Sequence, residues 1–475
     1  MPRMCCAAVL CSIGSLLCLP VIAFAQALPP EQEHQIVKLP GPAPLEVGGS
    51  DAKAPLTEQA SDTQGGSPAA EGVEIASLTW ADNPTPYWLI EAALEYFWVE
   101  DLAAARDLLN RVIALYPGTP DADRASALFI YTLAWENRTD EVNQLTDQLL
   151  ARAAAPETQA LASLMRGVHI AIRTKDWDTG LALTTAAAAQ WTGTPTGAWA
   201  AIALGDLYRD QVCDYAAAHN AYIAAARDYA GTQFAAEALV NLAECMNWYE
   251  HTYPEAKERY QQALELALTP RVEARALLGL ADCTRETGEY VEACEMLTSF
   301  IERYPDSPLC AWARGYRADA ELHLGWWDEA ADDAGAALES SSSSTYWRYY
   351  EHVILGNYAF RNGQLDAAEG EFTAAVELPE QNHMKAQAYA GLANCRSARG
   401  DLRGAISAFL DAAGNAVPGD VQGKDLYLYG AAVAADQLGD RQALNQIVSQ
   451  MVAECPGSSF TTRIVGGEVL PPAEP

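Results

Sequence analysis

Basic charge is scarce in this chain. Thirty Lys and Arg stand against 63 Asp and Glu, for a net charge of −33 over 475 residues. Nucleic-acid binding rests on cations that neutralise phosphates, so this balance argues against it, and against an anionic membrane surface for the same reason. The seven His residues are scattered and form neither an H-x-x-x-H nor an H-E-x-x-H pair, which removes the usual helical zinc signatures. Walker and dinucleotide glycine signatures are absent, as is any C-x-x-C pair. No metal and no cofactor is expected. Long apolar runs are also missing beyond the first 25 residues, so no integral membrane span is expected once those are removed. What is present is a half-apolar composition with 20% charged residues, too apolar for a globally disordered chain.

The two ends differ from the body. Residues 1–25 read as a secretory signal peptide: Arg3 leads an apolar run from Ala7 to Leu19, and Ala23-Phe24-Ala25 forms a small-x-small cleavage site before Gln26. Neither Cys11 nor Cys18 follows the small residue that a lipobox needs. Residues 26–80 read as a Pro-, Gly- and Ala-rich tether, because such a segment buries too little surface to offset its ordering entropy. Residues 461–475 read as a loose tail. An exported protein, periplasmic, envelope-associated or extracellular, is the expectation.

Between them, 81–460 reads as a repeat array. Small or apolar anchors fall at Ala93, Ile130, Val168, Gly205, Ala243, Ala281, Ala318, Gly356, Ala393 and Ala432, separated by 37 to 39 residues. Each unit has a helix of about 14 residues, then a polar or glycine turn, as in Thr287-Gly288-Glu289-Tyr290 and Arg399-Gly400-Asp401-Leu402. Glycine suits a helix end because it tolerates positive φ. An Ala twelve residues after most anchors (Ala105, Ala217, Ala293, Ala330, Ala368, Ala405) precedes a bulkier residue four later, such as Leu109, Leu297, Phe372 or Phe409. Small residues let two helices approach and the large ones fill the space between them. Units close near Pro, as in Tyr304-Pro305-Asp306-Ser307-Pro308. The fold expected is all-α, a solenoid of about ten helical hairpins, since one hairpin cannot bury its apolar face without neighbours.

This pattern resembles the tetratricopeptide repeat, over about 370 residues and most specifically in units six to ten. The period exceeds the family's usual 34, and the Tyr-Pro-x-Ser-Pro ending resembles the envelope subgroup. That subgroup includes the barrel-assembly lipoproteins and the Tol–Pal coordinators, although those have fewer repeats. The resemblance implies a right-handed superhelix with a concave groove lined by outward positions of each unit's first helix. Those positions are Trp199, Asn241, Trp248, Arg275, Arg285, Trp312, Tyr316, Tyr350, Asn357 and Arg361. Aromatic faces with Asn and Arg suit a protein or peptide ligand.

Other features are plainer. Cys245, Cys283 and Cys395 share one register position and read as small core residues. Cys283 and Cys294 are the candidate disulfide pair, being on the two helices of one unit. Trp326-Trp327 reads either as an exposed contact or as a buried cap. Asp328, Glu329, Asp332 and Asp333 read as a solvated helix face, since they lack the alternating oxygens of a calcium loop. With no catalytic constellation, the expected function is a non-enzymatic exported scaffold that holds a protein or peptide partner in envelope assembly. The alternative is a groove that guides a polysaccharide or peptidoglycan strand.

Overall fold

A computed structural model describes residues 85–152, 155–340, 345–379, 382–416 and 421–465. The signal peptide, the tether, residues 341–344 of the serine run and the tail from 466 lie outside the described residues.

Each unit is a helical hairpin. In order the pairs are α1 (Pro86–Trp98) with α2 (Leu102–Leu115), α3 (Pro120–Trp135) with α4 (Thr139–Arg152), and α5 (Pro156–Thr174) with α6 (Trp177–Gln190). Then come α7 (Pro195–Leu207) with α8 (Tyr215–Asp228), α9 (Gln233–Cys245) with α10 (Tyr253–Leu266), and α11 (Pro270–Glu286) with α12 (Tyr290–Arg303). The last four are α13 (Leu309–Leu324) with α14 (Trp327–Leu338), α15 (Thr345–Arg361) with α16 (Leu365–Glu377), α17 (Asn382–Ala398) with α18 (Leu402–Asn415), and α19 (Val421–Leu438) with α20 (Arg441–Glu454). A short helix, α21 (Ser459–Val465), follows. All ten anchors fall in first helices, and the described residues contain no strand.

Local chemistry sets the boundaries. Several first helices start at a Thr-Pro step. The hydroxyls of Thr119, Thr194 and Thr269 accept from the third following N–H, and the Pro occupies a position where no N–H is needed. Second helices start on an Asp, with Asp101, Asp214, Asp401 and Asp440 each accepting at 3.0 Å. Between the two helices sits one left-handed residue. It is Gly288, Gly325, Gly363, Gly400 and Gly439 in units six to ten, but Glu100, Asn137, Lys175, Cys213 and His251 in units one to five. The turn is thus the same throughout, and only half of the units mark it with glycine.

Units four and five differ in one respect. A π-helical turn, Tyr208–Val212 or Met246–Glu250, extends the first helix and inserts one residue. The buried alanine therefore moves one place on. Ala218 rather than Ala217 is fully buried in unit four, and Ala256 is its equivalent in unit five. Four residues later come Tyr222 and Tyr260, both fully buried. Their rings lie where a Cβ on Gly205 or Gly279 would sit, 2.4 and 2.2 Å from the nearest ring atom.

The chain's end is also better ordered than its composition suggests. Residues 461–465, placed in the tail by sequence, belong to α21. Ser458 caps the helix by accepting from the Thr461 N–H at 3.0 Å, and the Thr461 hydroxyl donates to buried Asp425 at 3.0 Å.

Candidate functional site

The first helices line the inside of the coil, because those of distant units meet there. α1 lies across α11 and the turn that leads into α13. Its Leu89, Ile90 and Ala93 pack into a core shared with Leu109 of its own hairpin and Leu128 of the next. Its opposite face meets units five to seven. Arg271 donates from Nε to Glu91 at 2.9 Å and from both terminal nitrogens to Glu237 at 3.1 Å. Glu91 is only 1% exposed, so this is a buried charge cluster. Burial alone would raise the Glu237 carboxyl, but Arg271 and Arg275 hold it below the ordinary range. Val99 packs with Ala274, Leu278 and Leu309, and the Ser307 hydroxyl donates to Glu95.

Beside this clasp runs an aromatic belt. Trp98 lies 5.8 Å from Trp248 and 5.0 Å from Trp312, ring centre to ring centre. The Arg275 guanidinium sits 5.5 Å from the Trp98 ring. Arg275 also donates to Glu244 at 2.7 Å and to the Asn241 carbonyl at 2.9 Å. Asn241 in turn donates to Asp206 at 3.2 Å. Arg285 bonds Asp282 and Asp319 at 2.7 and 2.5 Å and faces the Tyr316 ring at 5.4 Å. Tyr316 meets Trp347 at 5.0 Å, and Trp347 meets Tyr350 at 5.9 Å.

The structure therefore joins seven of the ten groove residues into one connected belt: Asn241, Trp248, Arg275, Arg285, Trp312, Tyr316 and Tyr350. Trp199 stands apart, half-buried between two core clusters. Asn357 is half-buried, and Arg361 is exposed with its guanidinium 4.2 Å from the Trp327 ring. The expectation of an open groove is corrected here. Asn241, Arg275, Arg285, Tyr316 and Tyr350 are buried, Arg275 against Trp98 of α1 and the others among side chains of their own and neighbouring units.

Four further aromatics belong to this region: Phe97, Trp98, Tyr131 and Trp135. Phe97 stacks on Tyr131 at 5.1 Å and meets Trp135 at 5.6 Å. Trp135 remains 45% exposed. A signal for two of them was available. Trp98, Trp135 and Trp248 each stand five residues after their unit's anchor (93, 130 and 243), so one register offset finds all three.

The clasp also contains a titrating group. Burial pushes the Glu95 carboxyl up to about 7, Glu91 adding to the effect while Ser307 and Arg271 oppose it. The folded state thus holds this proton more tightly than the unfolded chain. The resulting stability is complete below the ordinary value of 4.5 and lost as pH rises through about 7. Relative to Glu95→Gln, the native chain is expected to lose roughly 2–4 kcal/mol on going from about pH 5 to about pH 8. Urea midpoints measured across that range test this, and parallel curves for the two proteins would refute it.

Cys283 and Cys294 are not disulfide-bonded. They serve opposite neighbours: Cys283 packs with Tyr260 and Ala256 of unit five, whereas Cys294 lines a cleft with Glu321 of unit seven. Burial pushes Cys294 up to about 11 and raises Cys283 as well. The acidic run is only partly solvated. Asp333 is buried and bonds Arg314 at 3.0 Å and Arg317 at 2.5 Å. Among the described residues there is no group of three or more His, Cys, Asp or Glu that could hold a metal ion, and no helix long and apolar enough to cross a membrane.

Ten stacked hairpins with first helices turned inward define a helical-repeat solenoid. Two of its stretches, residues 275–307 and 355–421, match family models described as tetratricopeptide repeat, so the chain carries tetratricopeptide repeats. Such arrays are typically non-catalytic, and the repeats make this chain a protein-interaction scaffold. No curated protein matches the chain. Among solved structures, it is similar to PilW, a type IV pilus biogenesis factor, at 19% identity and TM-score 0.40, over 49% of this chain and 98% of that one. It is similar to PilF of Pseudomonas aeruginosa at 15% identity and TM-score 0.39, over 49% and 97%. A tetratricopeptide-repeat protein from Parabacteroides merdae aligns at 17% identity and TM-score 0.39, over 57% and 97%.

Proposed function

We infer that this chain is an exported envelope scaffold that holds a protein or peptide partner on the inner aromatic strip of its coil. One observation carries the reading. Phe97, Tyr131 and Trp135 form one ring cluster and Trp98, Trp248 and Trp312 another, joined at the consecutive residues Phe97 and Trp98 of α1, and the first cluster ends on an exposed indole. Aromatic rings offer a large contact area at little conformational cost. The buried part of the strip is held rigid by the clasp, which leaves its Trp135 end to receive the partner. Export is supported by the leader-like residues 1–25, and an envelope setting by the Tyr-Pro-x-Ser-Pro ending of unit six.

The test uses the full chain as bait in an envelope extract, with captured proteins identified by mass spectrometry. Trp135→Ala, at an exposed site, is expected to weaken partner retention at least tenfold while leaving the melting curve in place. A partner held equally by both baits would remove the strip from the interface. A polysaccharide captured in place of any protein would favour the glycan-guiding alternative. Sequencing of the secreted N-terminus is expected to begin at Gln26.

A further inference from the structure

A second feature lies between units six and seven, on residues that the strip does not use. A cleft of about 550 Å³ opens between α12 and the α13–α14 turn, lined by Val291, Cys294, Glu295, Glu321, Trp326 and Glu329 among others. Glu321, 7% exposed, stands on α13, and its Oε2 has no hydrogen-bond partner. The nearest cation is engaged elsewhere. Arg317 donates to Asp333 at 2.5 and 2.7 Å and to the Thr298 hydroxyl at 2.8 Å, leaving its Nε 3.8 Å from Glu321 Oε1. A buried carboxylate oxygen without a donor costs free energy that an incoming donor would recover. The mouth of the cleft adds two acids, Glu295 and Glu329, and two exposed apolar side chains, Trp326 at 43% and Val291 at 51%. An aromatic face, an apolar wall and a carboxylate floor match an alkyl chain that ends in a charged amine.

We propose that this cleft binds a primary alkylammonium group, its charge on Glu321 and its methylene chain against Trp326 and Val291. A lysine side chain of a protein and a free diamine both carry this chemistry.

Protonation supplies a second signature. Burial raises the Glu321 carboxyl to about 7; Asp333, Glu329 and Asp332 push the same way, and Arg317 opposes them. Binding an ammonium requires the ionised form, so affinity rises from about pH 6 to about pH 8 and a proton is released on binding near pH 7.

Titration calorimetry on the full chain tests the site with three probes: 1,5-diaminopentane, Nα-acetyl-lysine methylamide, and the uncharged Nα-acetyl-norleucine methylamide. The two amines are expected to bind, and norleucine to fail. Glu321→Gln should weaken amine binding at least tenfold and abolish the buffer-dependent proton release. Trp326→Ala, at an exposed position, should weaken binding severalfold without loss of folding. The tighter of the two amines then indicates whether a lysine or a free diamine is the natural occupant. Amine binding that survives Glu321→Gln would reflect the acidic surface at large and overturn the proposal. Norleucine binding as well as lysine, or no amine binding at all, would overturn it too.

Discussion

Arg271→Ala is expected to lower the stability of the N-terminal unit by about 3–5 kcal/mol. The guanidinium is the shared partner of Glu91 and Glu237. Its removal leaves a carboxylate that is 1% exposed with no counter-charge. The loss should appear first in α1, which carries Glu91, while its other face keeps its packing on units one and two. Hydrogen exchange in α1 should therefore quicken before exchange in α17 or α19 changes, as nearest-neighbour coupling in repeat arrays requires. Glu91→Gln in the same background should restore part of the loss, because a neutral amide costs less to bury than an unpaired charge. A change below about 1 kcal/mol with unaltered exchange would mean that the clasp adds nothing to stability.

Phe372→Ala is expected to cost about 3–5 kcal/mol, now at the junction of units eight and nine. The ring is fully buried, and it occupies the space where a Cβ on either Gly356 or Gly391 would sit, 2.7 and 2.5 Å from the nearest ring atom. One aromatic from a second helix thus fills the gap between two first helices. Removing it opens a cavity that two glycines cannot fill. The reciprocal change, Gly391→Ala, adds a methyl group against the same ring and is expected to cost about 1–3 kcal/mol. Pairing Gly391→Ala with Phe372→Leu should recover part of both losses, and a double-mutant cycle on urea midpoints measures that coupling. Strict additivity would show that the two residues do not compete for one space.

Much of this molecule is written locally. The hairpin, its Thr-Pro start, its Asp cap and its small-then-large pairing each depend on residues a few places apart, so the sequence carries them as a period. Even so, the turn signal is visible in Gly288 and Gly400 and hidden in Glu100 and Lys175. A left-handed residue need not be glycine when the packed hairpin forces the turn, and this is why units six to ten stand out in the sequence and the first five do not. The π-helical turns at Tyr208–Val212 and Met246–Glu250 escape notice for a related reason. One inserted residue barely changes the period, yet it moves the buried alanine from Ala217 to Ala218.

The site was legible only in part. The family resemblance collected Trp248, Arg275, Trp312 and Tyr316 as one set, the outward positions of successive first helices. It also read that face as open. Tertiary structure alone decided that α1 would cover it, through contacts between residues 180 and 212 apart such as Arg271 with Glu91 and Ser307 with Glu95. No local pattern encodes such a contact. It depends on the small rotation between successive hairpins, summed over several units until the first meets the fifth to the seventh. Sequence determined that there would be ten hairpins and which face of each would turn inward. The accumulated rotation decided how tightly they coil, and so which inner residues became core and which stayed within reach of a partner.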